Sequence, residues 1–271
     1  MRTDKNKMIV YTILFTLLGK KPKDNRYIDM FYVWLTYLLK NGGLTSEDKV
    51  VVFIDSETLE FLNTQPLTSY MKGRSKAPIG FIIVKQPETI SEGMVIRYTY
   101  VLNDTEKNTC LYLDLDVVVL KSLQHDIPKL QPDQLYIMPE GKMEHGLYAG
   151  SLVNMEALPN MCGFSSGTFA FCYGEAILEF FKRVTEGCLE LKDDPRYTVD
   201  QPFFNKWVYE IYTKRVLPVD IQLLRYSMIE QNSLNSFKEE TVLVNYAGYP
   251  GDGSFHYQKM MNAMCIEFLG V

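Results

Sequence analysis

Short apolar runs alternate with amphipathic stretches over the first 120 residues of the chain. Strands are predicted where β-branched and other apolar residues cluster, at residues 8–16, 49–54, 81–84 and 110–120. Helices are predicted between them, at residues 26–40, 56–63 and 91–103. Strands that alternate with helices form a mostly parallel sheet covered by helices on both faces. This alternation therefore predicts an α/β fold.

The rest of the chain continues the same pattern without a repeat, a low-complexity tract or a long linker. Further strands are predicted at residues 134–138, 164–173 and 242–246, and further helices at 175–191 and 201–212. A length of 271 residues fits one large domain. We therefore expect residues 1–271 to form one domain with a central sheet flanked by helices.

Charge and cysteine content restrict the partners and the compartment. The net charge of −5 argues against nucleic-acid binding, which needs a basic surface. The five cysteines are scattered without a CxxC pair, which favours free thiols in a reducing compartment. The apolar run at residues 8–19 resembles a signal peptide, but it is too short for a bilayer, which takes roughly 20 residues. We expect a soluble, cytoplasmic protein with no transmembrane segment.

Two carboxylates interrupt the apolar run CLYLDLDVVVL at residues 110–120. Aspartates inside a strand that is buried on both faces are costly, but they are tolerated at the carboxyl edge of the sheet, where open α/β folds bind ligands. If the strand continues through the pair, Asp114 and Asp116 point to the same side, with Leu115 opposite. Such a pair repels itself unless a cation lies between, and its oxygens suit Mn²⁺ or Mg²⁺.

Several functions use this D-x-D pattern. A haloacid-dehalogenase-type phosphatase has an apolar strand followed by D-x-D-x-[T/V], with the first Asp as nucleophile, but that motif normally opens its fold. A sugar nucleotidyltransferase uses a similar crevice but usually carries a glycine-rich basic loop after its first strand, and GKKPK at residues 19–23 has the charge without the glycines. A binding module without catalytic activity is a further possible function. D-x-D near residue 115 suits a nucleotide-sugar-dependent glycosyltransferase of the GT-A type.

The segment YLDLDVVVLKSL is similar to the pattern of glycosyltransferase family 8, the glycogenin-like family. The resemblance implies a Rossmann-like GT-A domain with a nucleotide-binding half at residues 1–120 and an acceptor and donor-sugar half at 121–271. It further implies that Thr16 and Tyr27 hold the nucleobase and that Arg97 faces the nucleotide. In the second half, Phe164-Ser165-Ser166-Gly167 resembles the family's F-N-S-G strand, where Ser166 and Gly167 lie close to the donor sugar.

Asp200 and Gln201, with Asn205, resemble the D-Q-x-x-(x)-N segment that contacts the donor sugar and the reacting centre, which makes the first two the candidate catalytic residues. The family's final H-F-x-G motif departs here, because Asn245 stands in the place of the metal-binding His. We expect Asp114 and Asp116 to bind the metal with His256 as the third ligand; water or a carboxylate such as Asp252 is the alternative. Arg97 or Lys259 would contact the phosphates, and Gly248 would lie in a lid over the donor.

The resemblance implies an enzyme that transfers a hexose from a nucleotide-diphosphate sugar, with UDP as the expected nucleotide. The acceptor would be a hydroxyl of a glycan, a protein or a small molecule. Mn²⁺ or Mg²⁺ would be required, and the family implies a retaining reaction.

Overall fold

The computed structural model describes residues 7–99, 108–123, 129–194, 199–224, 228–230 and 241–246, together with residues 258 and 260. Within them the strands are β1 Met8–Leu14, β2 Lys49–Asp55, β3 Ile79–Val84, β4 Thr109–Leu113, β5 Val117–Val119, β6 Gln134–Lys142, β7 Cys162–Phe171, β8 Asp220–Leu223, β9 Met228–Glu230 and β10 Leu243–Asn245. The α-helices are α1 Arg26–Asn41, α2 Ser56–Thr64, α3 Pro66–Arg74, α4 Ile90–Met94, α5 Ile96–Thr99, α6 Glu175–Glu190 and α7 Gln201–Lys214.

The described strands form two sheets. The larger has seven strands in the order β3-β2-β1-β4-β7-β6-β8, in which β7 runs antiparallel to both of its neighbours and the other pairs are parallel. The smaller has three strands in the order β5-β10-β9. The predicted α/β fold with a mostly parallel central sheet flanked by helices is therefore confirmed.

Each face of the large sheet has its own core. On one face, aliphatic residues of the central strands, among them Val10, Val52 and Leu111, pack against α1. The helix contributes Phe31 and Trp34 to this core. The opposite face is aromatic and packs against α6 and α7; its rings include Tyr11, Phe53, Tyr98, Tyr112, Phe169, Phe171, Phe180, Phe181, Phe203 and Phe204. Alternate side chains of each central strand supply the two cores, as a sheet that is covered on both faces requires.

The sequence pattern missed some elements and misjudged one. α3, β8 and β9 were not predicted, and the predicted helix at 91–103 is split into α4 and α5, with residues 100–107 outside the described part. The run at 110–120 is not one strand: β4 ends at Leu113, and β5 belongs to the smaller sheet. The premise that one strand runs through Asp114 and Asp116 is therefore wrong, because the pair lies between two strands.

The described part of the chain contains no helix that is both long and apolar enough to cross a membrane. The apolar run near the N-terminus forms β1, a fully buried strand between β2 and β4. Four of the five cysteines lie in the described residues, and none of these four is in a disulfide.

A buried carboxylate joins the carboxyl ends of β1 and β2. Asp55 accepts hydrogen bonds from the backbone N–H groups of Thr16 (2.8 Å) and Thr58 (2.9 Å) and from the Thr58 hydroxyl (2.6 Å). The same carboxylate caps the N-terminus of α2. Asp55 is fully buried, so water could not easily take its place as the acceptor for these donors if the carboxylate were removed.

Replacement of Asp55 by Ala is expected to lower the free energy of unfolding by about 2–4 kcal/mol, because it leaves buried N–H donors without an acceptor and removes a helix cap. Urea unfolding followed by circular dichroism measures the change. Glu60→Ala, on the exposed side of the same helix, is the control and should stay within about 0.5 kcal/mol of the unsubstituted protein. Equal changes in the two variants would contradict the role given to Asp55.

Candidate functional site

Three segments meet at the D-x-D turn. The backbone N–H of Asp114 donates to the Gly167 carbonyl of β7 (2.8 Å), and the N–H of Val117 donates back to the Asp114 carbonyl (3.0 Å), which closes the turn. The Asp116 carbonyl accepts from the N–H of Tyr246 (2.9 Å), and Asn245 pairs with Val117. The turn is thus fixed at the carboxyl end of β4, between β7 and β10.

The Asp114 carboxylate has a cation and a hydroxyl as partners. Arg97 Nη2 lies 3.3 Å from Asp114 Oδ1, and Arg97 Nη1 donates to Oδ2 at 3.4 Å. The Tyr112 hydroxyl donates to Asp114 Oδ1. The guanidinium also lies over the Tyr112 ring, 4.6 Å from its centroid. Arg97 and Tyr112 therefore orient the Asp114 carboxylate, while 30% of the Asp114 side chain stays exposed to solvent.

Arg97 itself is buried and connects separate parts of the chain. Its Nη1 donates to the Ser166 carbonyl (2.9 Å), its Nε donates to the Met94 carbonyl (3.0 Å), and Nε lies 3.8 Å from Asp200 Oδ2. Burial alone would lower the pKa of Arg97, but the Asp114 and Asp200 carboxylates more than offset this, so its pKa lies well above the ordinary value. The guanidinium is therefore a permanent buried cation.

Asp200 is the second carboxylate that faces Arg97. It precedes α7 at the N-cap position, yet its side chain makes no capping hydrogen bond. Its carboxylate, 3% exposed, instead accepts from the Tyr98 hydroxyl and faces Arg97. Burial raises the pKa of Asp200 above its ordinary value, while the Arg97 charge and the Tyr98 hydrogen bond oppose the rise. In the structure the Asp200 carboxylate therefore faces Arg97 and Tyr98.

Gln201 and Asn205 hold β7 against α7. Gln201 Oε1 accepts from the N–H of Ser166 (3.0 Å), and its Nε2 donates to the Leu147 carbonyl (3.1 Å). The buried Asn205 amide accepts from the N–H of Phe164 (2.7 Å) and donates to the Phe164 carbonyl (2.8 Å). Gln201 is partly exposed and Ser166 is buried. The predicted D-Q-x-x-x-N segment thus lies against the predicted F-S-S-G strand.

Gly167 is required by the carboxylate next to it. A Cβ atom at this position would lie 2.6 Å from Asp114 Oδ2, closer than real contacts allow. Asp114 cannot turn away without losing Arg97 and Tyr112. The close neighbour of this glycine in the structure is therefore Asp114, whereas the sequence interpretation assigned that space to a donor sugar.

Thr16 follows the carboxyl end of β1, which pairs in parallel with β4, and Tyr27 lies in the first turn of α1. The Thr16 hydroxyl is buried, accepts from Asn25 Nδ2 (3.0 Å) and lies 2.7 Å from the Thr58 hydroxyl. Asn25 also caps α1 by accepting from the N–H of Tyr27 (3.1 Å). Tyr27 is 36% exposed. The structure brings the two predicted residues together through Asn25.

The D-x-D turn carries ligand types that suit a divalent cation. Carboxylate oxygens, such as those of Asp114 and Asp116, are the ligands that Mn²⁺ and Mg²⁺ prefer. Within the described ranges no group of three or more His, Cys, Asp or Glu side chains could hold a metal. The predicted residues His256, Gly248 and Lys259 lie outside the described residues, as does the alternative ligand Asp252. Two of the three predicted metal ligands are thus in the described part of the site.

Sequence reasoning overlooked three residues that arrange the site. Asp55 follows the apolar strand KVVVFI directly, so the strand-end argument that identified Asp114 could have found it. Tyr98 and Tyr112 look like ordinary core residues in the sequence. Their rings do belong to the aromatic core, where Phe169 stacks on both, and only their hydroxyls reach the carboxylates.

Comparison with known proteins identifies the fold. No family model and no curated protein matches the chain. Among solved structures, mouse xyloside xylosyltransferase 1 in its apo form aligns over 89% of this chain and 96% of its own, with 12% identity and a TM-score of 0.51. The glycosyltransferase GlyE of Streptococcus pneumoniae TIGR4 aligns over 95% of this chain and 63% of its own, with 10% identity and a TM-score of 0.50. The chain has a glycosyltransferase fold. The chain spans less than two thirds of the length of GlyE. At these sequence identities the likeness concerns the fold alone.

The contact between Gly167 and Asp114 can be tested by substitution. Gly167→Ala is expected to lower the free energy of unfolding by about 1–3 kcal/mol, because the new methyl group displaces a carboxylate held by Arg97 and Tyr112. The cost should shrink when Asp114 is also replaced by Ala, and a double-mutant cycle measures that coupling. Gly80→Ala in β3 is the control, since a Cβ there meets nothing within 4 Å. A cost for Gly167→Ala that is the same with and without Asp114 would contradict the account.

Proposed function

We propose that this protein is a metal-dependent glycosyltransferase that moves a sugar from a nucleotide-diphosphate sugar to an acceptor hydroxyl. One observation supports it most directly: the D-x-D turn lies at the carboxyl end of a central strand in a glycosyltransferase fold, with its first carboxylate oriented by a buried arginine. Ligands of open α/β sheets bind at this edge. No observation among the described residues favours a phosphatase, a nucleotidyltransferase or a binding module.

Asp114 and Asp116 are the residues that would hold Mn²⁺ or Mg²⁺, with His256 proposed as the third ligand. When bound, the cation would neutralise the negative charge that grows on the departing diphosphate. Arg97 fixes the orientation of Asp114, and the Tyr112 hydroxyl restricts it further. Supporting groups of this kind commonly change metal affinity by about 10–100-fold when removed.

The remaining predicted residues receive roles that follow their positions. Tyr27, which is 36% exposed, would contact the nucleobase beside Thr16, and partly exposed Gln201 would contact the donor sugar. Asp200 is proposed as a positioning residue that acts through Arg97. We retain Gly248 and Lys259 as proposed donor contacts.

The donor and the stereochemistry are proposed on different grounds. UDP, retention of configuration and membership of glycosyltransferase family 8 rest on the resemblance of YLDLDVVVLKSL and the segments that follow it. The name of the mouse xylosyltransferase indicates a pentose, whereas the resemblance implies a hexose. A donor panel should therefore include UDP-glucose, UDP-galactose and UDP-xylose.

Release of nucleoside diphosphate from this panel, with Mn²⁺ and with excess chelator, tests the proposal. At least one donor should release UDP only with the metal, and Asp116→Ala should reduce the rate by about 100-fold or more, because the diphosphate loses its charge stabilisation. Asp193→Ala removes an exposed carboxylate and serves as the control, with an unchanged rate. Unchanged turnover in Asp116→Ala would exclude the metal site, and metal-independent release would exclude the mechanism.

A further inference from the structure

The longest stretch of the chain without an acidic residue lies at residues 61–87. It carries four cations, Lys72, Arg74, Lys76 and Lys85, although the whole chain has 33 acidic residues and a net charge of −5. The structure places most of this stretch in α3 and β3, and β3 is an edge strand of the large sheet. This stretch is therefore locally basic within a chain of net negative charge.

α3 and β3 form one continuous surface. Lys72 Nζ of α3 lies 4.5 Å from the centroid of the Phe81 ring of β3. Phe81 and Ile79 pack against the core below, so the helix and the strand share the same face of the sheet. We call this surface the α3–β3 face and define it by Leu67, Tyr70, Lys72, Arg74, Lys76, Ile83 and Lys85.

The α3–β3 face exposes large apolar side chains among its cations. Leu67 is 45% exposed, Tyr70 56% and Ile83 60%. The Arg74 guanidinium lies 4.8 Å from the centroid of the Tyr70 ring, so a cation and an aromatic ring occupy the same site. Exposed apolar residues beside a basic patch are typical of an interaction surface.

The cations of this face are available to a partner. Among the described residues no carboxylate forms an ion pair with Lys72, Arg74 or Lys76. Lys85 lies 3.5 Å from Glu88, but both side chains are exposed, so this pair contributes little. An anionic partner can therefore meet all four charges without breaking a strong interaction.

We propose that the α3–β3 face docks on an anionic lipid surface. A second copy of the chain is a poor occupant, because pairing two such faces brings eight cations together. A nucleic acid offers phosphates but no apolar surface for Leu67 and Ile83. A bilayer with acidic headgroups offers both, because basic side chains lie at its surface while Tyr and Leu enter the boundary with the acyl chains.

Docking would place one edge of the candidate site beside the headgroups. Gln86 follows Lys85 directly, and its Nε2 donates to the Thr16 carbonyl (3.2 Å) at the carboxyl end of β1. The inference does not depend on the proposed function, because lipid binding needs neither a donor nor a metal.

Flotation of the full chain tests the proposal with vesicles of phosphatidylcholine alone and with about one third phosphatidylglycerol. We expect binding only to the anionic vesicles, weakening as salt is raised. Replacing Lys72, Arg74, Lys76 and Lys85 by Ala should weaken it several hundred-fold, at roughly fivefold per cation. The control removes four exposed lysines elsewhere, Lys129, Lys142, Lys182 and Lys214, and should bind like the unsubstituted chain.

A second variant, Leu67→Ser with Tyr70→Ser and Ile83→Ser, keeps the charge and should weaken binding to the same vesicles by about tenfold or more. Its side chains are exposed, so the fold should tolerate the changes. Equal binding to both kinds of vesicle, or equal loss in the face and control variants, would overturn the proposal. Binding to double-stranded DNA without binding to anionic vesicles would also overturn it.

Discussion

The buried guanidinium of Arg97 is the interaction on which the site depends. It contacts Asp114 after β4, the Ser166 carbonyl of β7 and Asp200 before α7, so a single side chain joins three segments that are distant in sequence. A buried cation is stable only when charged partners and hydrogen bonds replace its water, and the two aspartates and two carbonyls do so here. Removal of either aspartate would leave the buried Arg97 charge with only one carboxylate partner.

The aromatic core extends this arrangement into the fold. Tyr98 and Tyr112 stack on Phe169 within the core, and their hydroxyls donate to Asp200 and Asp114. The orientation of the carboxylates is thus fixed by the same packing that stabilises the sheet. Burial raises the pKa of both tyrosines well above the ordinary value, so they stay protonated donors at neutral pH. The Asp114 carboxylate is therefore oriented before any ligand binds.

The sequence located Asp114 through the cost of burying a charge: carboxylates are costly inside a buried strand and tolerated at the carboxyl edge of the sheet. Thr16 and Asp200 were identified from the family resemblance, and the structure places them just after β1 and just before α7. Side-chain direction could not be predicted in the same way. The chain turns at Asp114 instead of continuing as a strand, and Asp200 faces Arg97 instead of capping its helix. α3 was missed because PLTSYMKGR lacks an apolar stripe; only Thr68 and Met71 of this helix are buried.

The central claim is that this prearranged turn binds a nucleoside diphosphate through a divalent cation. Calorimetric titration of UDP into the protein, with Mn²⁺ and then with excess chelator, tests it most directly. The account predicts a measurable dissociation constant with the metal and no detectable binding without it, because the carboxylates of Asp114 and Asp116 repel a bare diphosphate. Equal affinity under the two conditions would contradict it.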